Sequence, residues 1–246
     1  MKTNGKLRAI AFISSALLLA AGLTWGGALI GSGFAARSGN AITVTGSAKT
    51  SATADNTVWT LNANENAASA SSSVKKVEKS VAALQTYLTK GGVPADAIET
   101  GAISTYANNE YVNGNLTGRV LSYTANQNVT VRSTNVQLIK RLSNGIGSLL
   151  QTGVNINNYG PAYYVSTLSS LRPQLLSEAM KDAKVRAEAI TKAVGGKVGA
   201  VLSVSSGPVQ VTAPDSVDTS SGGMYDTSSI DKTVTVTVSV SFKTSK

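Results

Sequence analysis

Thr233-Val-Thr-Val-Thr-Val-Ser-Val-Ser-Phe242 alternates without a break near the C-terminus. Successive side chains of a β-strand point to opposite faces. Val234, Val236, Val238, Val240 and Phe242 therefore share one face, and the hydroxyl residues share the other. One apolar and one polar face is the pattern of an antiparallel sheet with one side toward water. No charge stands between Lys232 and Lys243, although charge is the usual guard of a sheet edge. If this strand lies at an edge, a second copy of the chain is its natural cover. If it has a neighbour on each side within its own chain, no cover is needed.

Working back from that strand, Gly207 to Ser229 holds Pro208, Pro214, Gly222, Gly223 and many Ser/Thr. It has no hydrophobic period and reads as a long, mobile loop that folding does not need. Val198 to Ser205 reads as a strand. Before it runs a long helix, about Ser170 to Val194, ended by Gly195-Gly196. Its stripe is Leu171, Leu175, Ala179, Ala183, Ala187 and Ile190. The small residues let it lie close to a sheet or to another helix. Pro173 suits only its first turn.

Further back, Ile42-Thr43-Val44-Thr45 and Ala54 to Ala63 read as strands. Ala67, Ala70, Val74, Val77, Val81, Leu84 and Leu88 form one stripe of a helix that stops at Gly91-Gly92 and Pro94. Ile98 to Tyr106 and Arg119 to Arg132 read as a hairpin around polar Asn108, Asn109, Asn113, Gly114 and Asn115. A helix is expected from about Thr134 to Thr152, capped by Ser133 or Thr134. Gly145 and Gly147 weaken it and mark a close contact. Val154 to Val165 is extended.

The order ββα–ββαβ–αββ lacks regular alternation of strand and helix, so the class is α+β, with antiparallel sheets and long packed helices. The expected organisation is a two-part fold preceded by an N-terminal hydrophobic helix. Residues 41–95 and 167–246 form an outer domain, and 96–166 form an inserted ββαβ subdomain. Residues 1–40 form a membrane anchor or signal segment.

That first segment has Lys2, Lys6 and Arg8 before an uncharged run from Ala9 to Ala36, with Arg37 after it. As a helix the run is about 42 Å long, more than the roughly 30 Å of a bilayer's hydrocarbon core. The excess of basic residues before it predicts an N-terminus inside and the rest outside. A cleaved signal peptide is the competing reading, with small residues at Gly33 and Ala35 before a cut at Ala36. The length of the run favours the uncleaved anchor. Gly22/Gly26 and Gly27/Gly31 have the small-xxx-small spacing of close helix pairs, though glycine is common in membrane helices. Trp25 suits the outer interfacial belt.

Composition narrows the chemistry. The 246 residues contain no Cys and no His. Disulfides, zinc–thiolate sites, imidazole bases and thiol nucleophiles are excluded. There are 22 Lys+Arg against 13 Asp+Glu, net +9. The segment 1–40 holds four of the basic residues and no acid, leaving 18 against 13 in the exported part. The densest basic run, Lys75, Lys76 and Lys79, lacks interleaved aromatics and does not point to nucleic acid.

The constellations that suggest chemistry are weak. Ser177 and Lys181 stand at i, i+4 on the long helix, the spacing of a Ser/Lys dyad, but no oxyanion-hole motif accompanies them. Asp215, Asp218, Asp226 and Asp231 flank the long loop without the spacing of a compact calcium loop. Gly145-Ile146-Gly147 lies in a helix and is no nucleotide fingerprint. Arg132, Lys140 and Arg141 read as a solvated face that an anionic envelope polymer would suit. No catalytic, cofactor-binding or metal-binding residue is assigned, and no cofactor is expected.

Several stretches together resemble the SIMPL-domain family, which includes periplasmic immunogenic proteins of Gram-negative bacteria. They are Ile42-Thr-Val-Thr-Gly46, Ala52-Thr-Ala-Asp55, Gly92-Val93 with Ile98-Glu-Thr100, and Tyr106 with Ser122-Tyr-Thr-Ala125 and Val129-Thr-Val131. The strongest is Ala179-Met-Lys-Asp-Ala183 with Ala187, Gly196 and Gly199. The terminal Val-x-Val-x-Phe also fits, so the likeness covers about 41–243. Many members have Pro where Ala54 stands and Gly where Ser122 stands; the first change relaxes a turn, the second a strand. The resemblance implies a two-part α+β fold, an envelope location and, in some members, ring-like or channel-like homo-oligomers. It supplies no catalytic residues.

Two function classes follow. One is a non-enzymatic protein of the periplasm or extracytoplasmic envelope, anchored in the inner membrane by its N-terminal segment and assembling with itself. The other is an extracytoplasmic module that binds a small ligand or an envelope polymer.

Overall fold

The alternating C-terminal stretch forms the longest strand of the second half of the chain, β11 (Asp231–Ser245), in a computed structural model that describes residues 40–246. The hydrophobic helix expected over Ala9–Ala36 lies outside the described residues. Val234, Val236, Val238, Val240 and Phe242 are buried as the alternation requires. β1 (Ala41–Thr53) lies on one side of β11. β8 (Lys197–Ser206) and β9 (Gln210–Thr212) share the other, and β10 (Met224–Tyr225) adds parallel to β9. The Thr43–Ser241 and Thr53–Asp231 side-chain hydrogen bonds run in opposite senses along β1 and β11, as an antiparallel pair demands. β11 is therefore an internal strand. Its freedom from charge reflects neighbours in its own chain, and the edge argument does not apply to it.

The other strands are β2 (Asn56–Ala67), β3 (Ile98–Thr100), β4 (Ser104–Val112), β5 (Asn115–Ser133), β6 (Ile156–Asn158) and β7 (Ala162–Tyr164). The longer helices are α1 (Ala70–Lys90), α2 (Val136–Gly145) and α4 (Leu168–Ala193), with a single turn, α3 (Gly147–Leu150), after α2. The class is α+β, antiparallel apart from the β9–β10 pair.

The described chain divides into two compact units, and β1, α4 and β11 contribute residues to both. One unit takes 40–48, Leu176–Gly207 and Thr237–Lys246; the other takes Lys49–Leu175 and Pro208–Val236. These limits differ from 95/96 and 166/167 because β2 pairs with β5 from Thr57↔Ser133 to Ala67↔Tyr123, which keeps β2 with the middle of the chain.

In the larger unit β5 is flanked by β2 on one side and by β3 and β4 on the other. β6 and β7 extend the sheet beyond β2. The apolar stripe of α1 supplies Val77, Val81, Leu84 and Leu88 to a core with Trp59, Leu61, Ala125, Val129 and Val131. Each buried Val or Leu among them contributes about 1.5–3 kcal/mol. Ser69 caps α1 by accepting the Ser72 amide at 3.2 Å. The β4–β5 hairpin is longer than expected: its polar tip is paired, and the turn is Asn113-Gly114, with φ of 52° and 80°. Left-handed angles at both positions are what a two-residue hairpin turn needs.

The helix expected over 134–152 is broken between α2 and α3. Its cap is Asn135, whose side chain accepts the Leu138 amide at 3.0 Å. At the break, Tyr87 donates its hydroxyl to the Leu142 carbonyl at 2.7 Å, and a Cβ on Gly145 would sit 3.2 Å from that hydroxyl. The close contact expected at Gly145 and Gly147 is therefore present at Gly145 alone; a Cβ on Gly147 would meet nothing within 4 Å.

In the smaller unit Ala179, Ala183 and Ala187 of α4 are fully buried against Val44, Val238, Val240 and Phe242. Ile190 is half exposed, and the stripe continues instead through buried Thr191 at i+4 from Ala187, whose carbonyl accepts its hydroxyl at 2.8 Å. α4 starts at Leu168, so Pro173 lies in its second turn and deprives the Ser169 carbonyl of its usual amide partner.

The stretch 207–229 is no free loop. Gln210, Val211 and Thr212 are all buried in β9, and the Gln210 side chain donates to the Ser220 carbonyl at 2.6 Å.

Candidate functional site

The residue types that suggested catalysis or metal binding are dispersed or already engaged. Ser177 and Lys181 are both exposed on α4. Of the four aspartates, Asp231 accepts the Thr53 hydroxyl at 3.2 Å and Asp218 that of Ser216 at 3.1 Å. Among the described residues no three carboxylates come together to hold a metal. Arg132 pairs with Glu99 at 3.8 Å, both partners being largely exposed, while Lys140 and Arg141 are exposed. On α1, Lys76 donates to the Asn66 carbonyl at 3.0 Å.

Asp226 belongs to a structural cluster. Its carboxylate accepts the Ser228 amide and hydroxyl, the Ser229 amide and hydroxyl, and the ammonium of Lys232 at 3.2 Å. Burial opposes ionisation of this carboxyl, but the serine donors and Lys232 outweigh it and hold the group well below the usual carboxylate range. The Lys232 side chain is fully buried. The alternation in β11 contained that signal, since Lys232 has the parity of Val234 and Val236.

Two further carboxylates tie elements together. Asp55 accepts the Ser166 hydroxyl and amide, at 2.5 and 2.8 Å, and these bonds lower its pKa. Asp182 accepts the Ser47 amide at 2.8 Å and pairs with Arg186 at 2.8 Å; both contacts lower its pKa.

A hydroxyl-rich cavity of about 490 Å³ is lined by Lys49, Ser51, Gln210, Thr212, Thr233 and Thr235, among others. It contains both donors and acceptors but no group with unusual reactivity.

Two strands of this sheet, β1 and β8, each pair with β11 alone among the described residues, so each has a second edge of unpaired backbone N–H and C=O groups; β8 is the one that adds exposed apolar side chains to its edge. No charge occurs from Val198 to Ser206, and Val201, Leu202 and Val204 are each about half exposed. Val204 faces Val240 across the pair, so it extends the buried row of β11 into solvent. Two register shifts, between Ser241 and Thr244, interrupt the pairing toward the Lys197 end, while Val204 to Ser206 pairs regularly. Bulges and charge are devices that protect edges, and the stretch from Ser203 onward has neither. The sequence placed a strand here but gave no means of knowing which of its neighbours was missing.

The β4–β5 ribbon also exposes apolar side chains, including Tyr111, Val112 and Leu116 near its tip. Among the described residues no helix is long and apolar enough to cross a membrane.

A family model, SIMPL, described as a protein of unknown function (DUF541), matches residues 42–242. A search among curated proteins gives no match.

Proposed function

Because this chain belongs to the SIMPL family, we propose that it is a non-enzymatic protein of the cell envelope, exported and held at the inner membrane by its N-terminal run, that assembles with itself along the open edge of β8. The observation that carries this reading is that edge: a ten-residue strand, uncharged after Lys197, with Val201, Leu202 and Val204 half exposed. Strand addition there satisfies the backbone groups and covers the valines in one step. A β8–β8 contact is isologous and makes a dimer. A ring requires a second, different contact. The N-terminal run of Ala9–Ala36 supports the membrane location.

The chain has no native cysteine, so single cysteines placed in turn at Val201, Ser203 and Ser205 report on the edge alone. Oxidation of the full-length protein should give disulfide-linked dimers at one or more of these positions. No dimer at any of them would contradict the β8 contact.

The hydroxyl-rich cavity supports a second reading, an extracytoplasmic module for a small polar ligand. A stoichiometric ligand retained through purification would favour it.

A further inference from the structure

One end of the smaller unit gathers four chain features. Asn40, where the described chain begins, accepts the Thr244 amide at 2.8 Å. Lys197, the first residue of β8, pairs with Ser245 near the end of β11. The last turn of α4 ends beside them, and a cavity of about 710 Å³ is lined there by Ile42, Ile190, Val194, Lys243 and Lys246. Val194 is 81% exposed and Ile190 is half exposed. Lys192, Lys197, Lys243 and Lys246 are all exposed. None of the four takes part in an ion pair among the described residues. The acids of this unit, Glu178, Asp182 and Glu188, all lie earlier on α4.

This end also lies where the uncharged run must emerge. Only Arg37, Ser38 and Gly39 separate Ala36 from Asn40. Four residues reach at most about 14 Å even when fully extended. The geometry points to this end of the unit as a docking face for an anionic lipid surface, with the lysines on phosphate headgroups and Val194 and Ile190 in the apolar part of the interface. The inference rests on the N-terminal run being a membrane anchor. Given that anchor, the lysine face is held close to the headgroups. Screening there extends about 10 Å at ordinary ionic strength, comparable to the tether. Apolar side chains rimmed by lysines are the chemistry of interfacial binding.

The test uses the full chain in vesicles of phosphatidylcholine with and without phosphatidylglycerol. A fluorophore on Val194→Cys reports docking, and one on Gly39→Cys reports anchoring. Headgroup spin-labelled lipid is the quencher. The expected result is quenching of both positions in anionic vesicles. The Val194 signal should fall at least twofold in quenching when Lys192, Lys197, Lys243 and Lys246 are changed to Gln, or when salt is raised on the unaltered lysines; the Gly39 signal should not change. Quenching at Gly39 without quenching at Val194 overturns the docking face and leaves the anchor. Quenching at neither position overturns the anchor itself and the docking face with it. Quenching at Val194 that ignores salt, lysines and lipid charge also overturns the proposal.

Discussion

Gly46 of β1 and Ala183 of α4 meet with no room for another atom: a Cβ built on Gly46 would lie 2.7 Å from the Ala183 Cβ and 2.5 Å from its amide nitrogen. The helix rests on the strand at a glycine, and fully buried Ala179 and Ala187 stand one turn away on either side. The small-residue stripe of α4 is therefore one half of a contact whose other half is Gly46. The neighbours that a methyl group would strike include backbone, which cannot rotate aside.

Gly46→Ala should accordingly destabilise the protein by about 3 kcal/mol, the upper part of the range for overpacking. Thermal unfolding followed by circular dichroism checks this. An unchanged midpoint would mean that α4 shifts away without cost.

Asp226→Asn leaves the buried ammonium of Lys232 without its charged partner, at a cost of about 3 kcal/mol. The pH dependence follows from the lowered pKa of Asp226 in the folded state. Its contribution is complete above the ordinary carboxylate pKa near 4 and is lost as pH falls through the folded value. Urea unfolding between pH 7 and pH 3 should show a steeper loss of stability on acidification in the unaltered protein than in the variant. Equal slopes would contradict the assignment.

Replacing 208–229 by a short Gly/Ser linker should lower the unfolding midpoint by many degrees, because it removes β9 with its buried Val211 and the Asp226 partner of Lys232. Val211→Ala is the milder test, with an expected loss of about 2 kcal/mol. A linker variant as stable as the parent would restore the simple loop that the composition suggests.

The N-terminal run predicts an uncleaved anchor. Protein extracted from membranes should retain the whole run Ala9–Ala36 on N-terminal sequencing. A mature chain beginning at Ala36 would replace the anchor by a cleaved signal.

The elements legible in the sequence were those with long, regular periods. The stripe of α1 and the alternation of β11 needed only the geometry of a helix and a strand: β11 is buried as that geometry requires, and so is the stripe from Val77 to Leu88, whereas Ala67, read as the start of the stripe, ends strand β2, and Ala70 and Val74 are only partly buried. Pairing was less legible. β2 joins β5 across a separation of more than fifty residues, and nothing in either strand names the other. β9 was missed because three residues cannot display a period. For the candidate site, Lys232 was readable from parity in β11. The open edge of β8 was not, because an edge is defined by the strand that is absent beside it. The absence of charge in β11 reflects its internal place, and the open edges belong to its neighbours β1 and β8, of which β8 carries the exposed apolar side chains.

Self-assembly along β8 is tested most directly by native mass spectrometry of the full chain released from detergent. The unaltered protein at micromolar concentration should appear at twice its chain mass or a higher even multiple, the chain being 25.2 kDa if uncleaved. Val201→Lys with Val204→Lys places charge on the edge and should return it to a smaller species with unchanged circular dichroism. A monomer for the unaltered protein, or an oligomer indifferent to both lysines, would contradict the account.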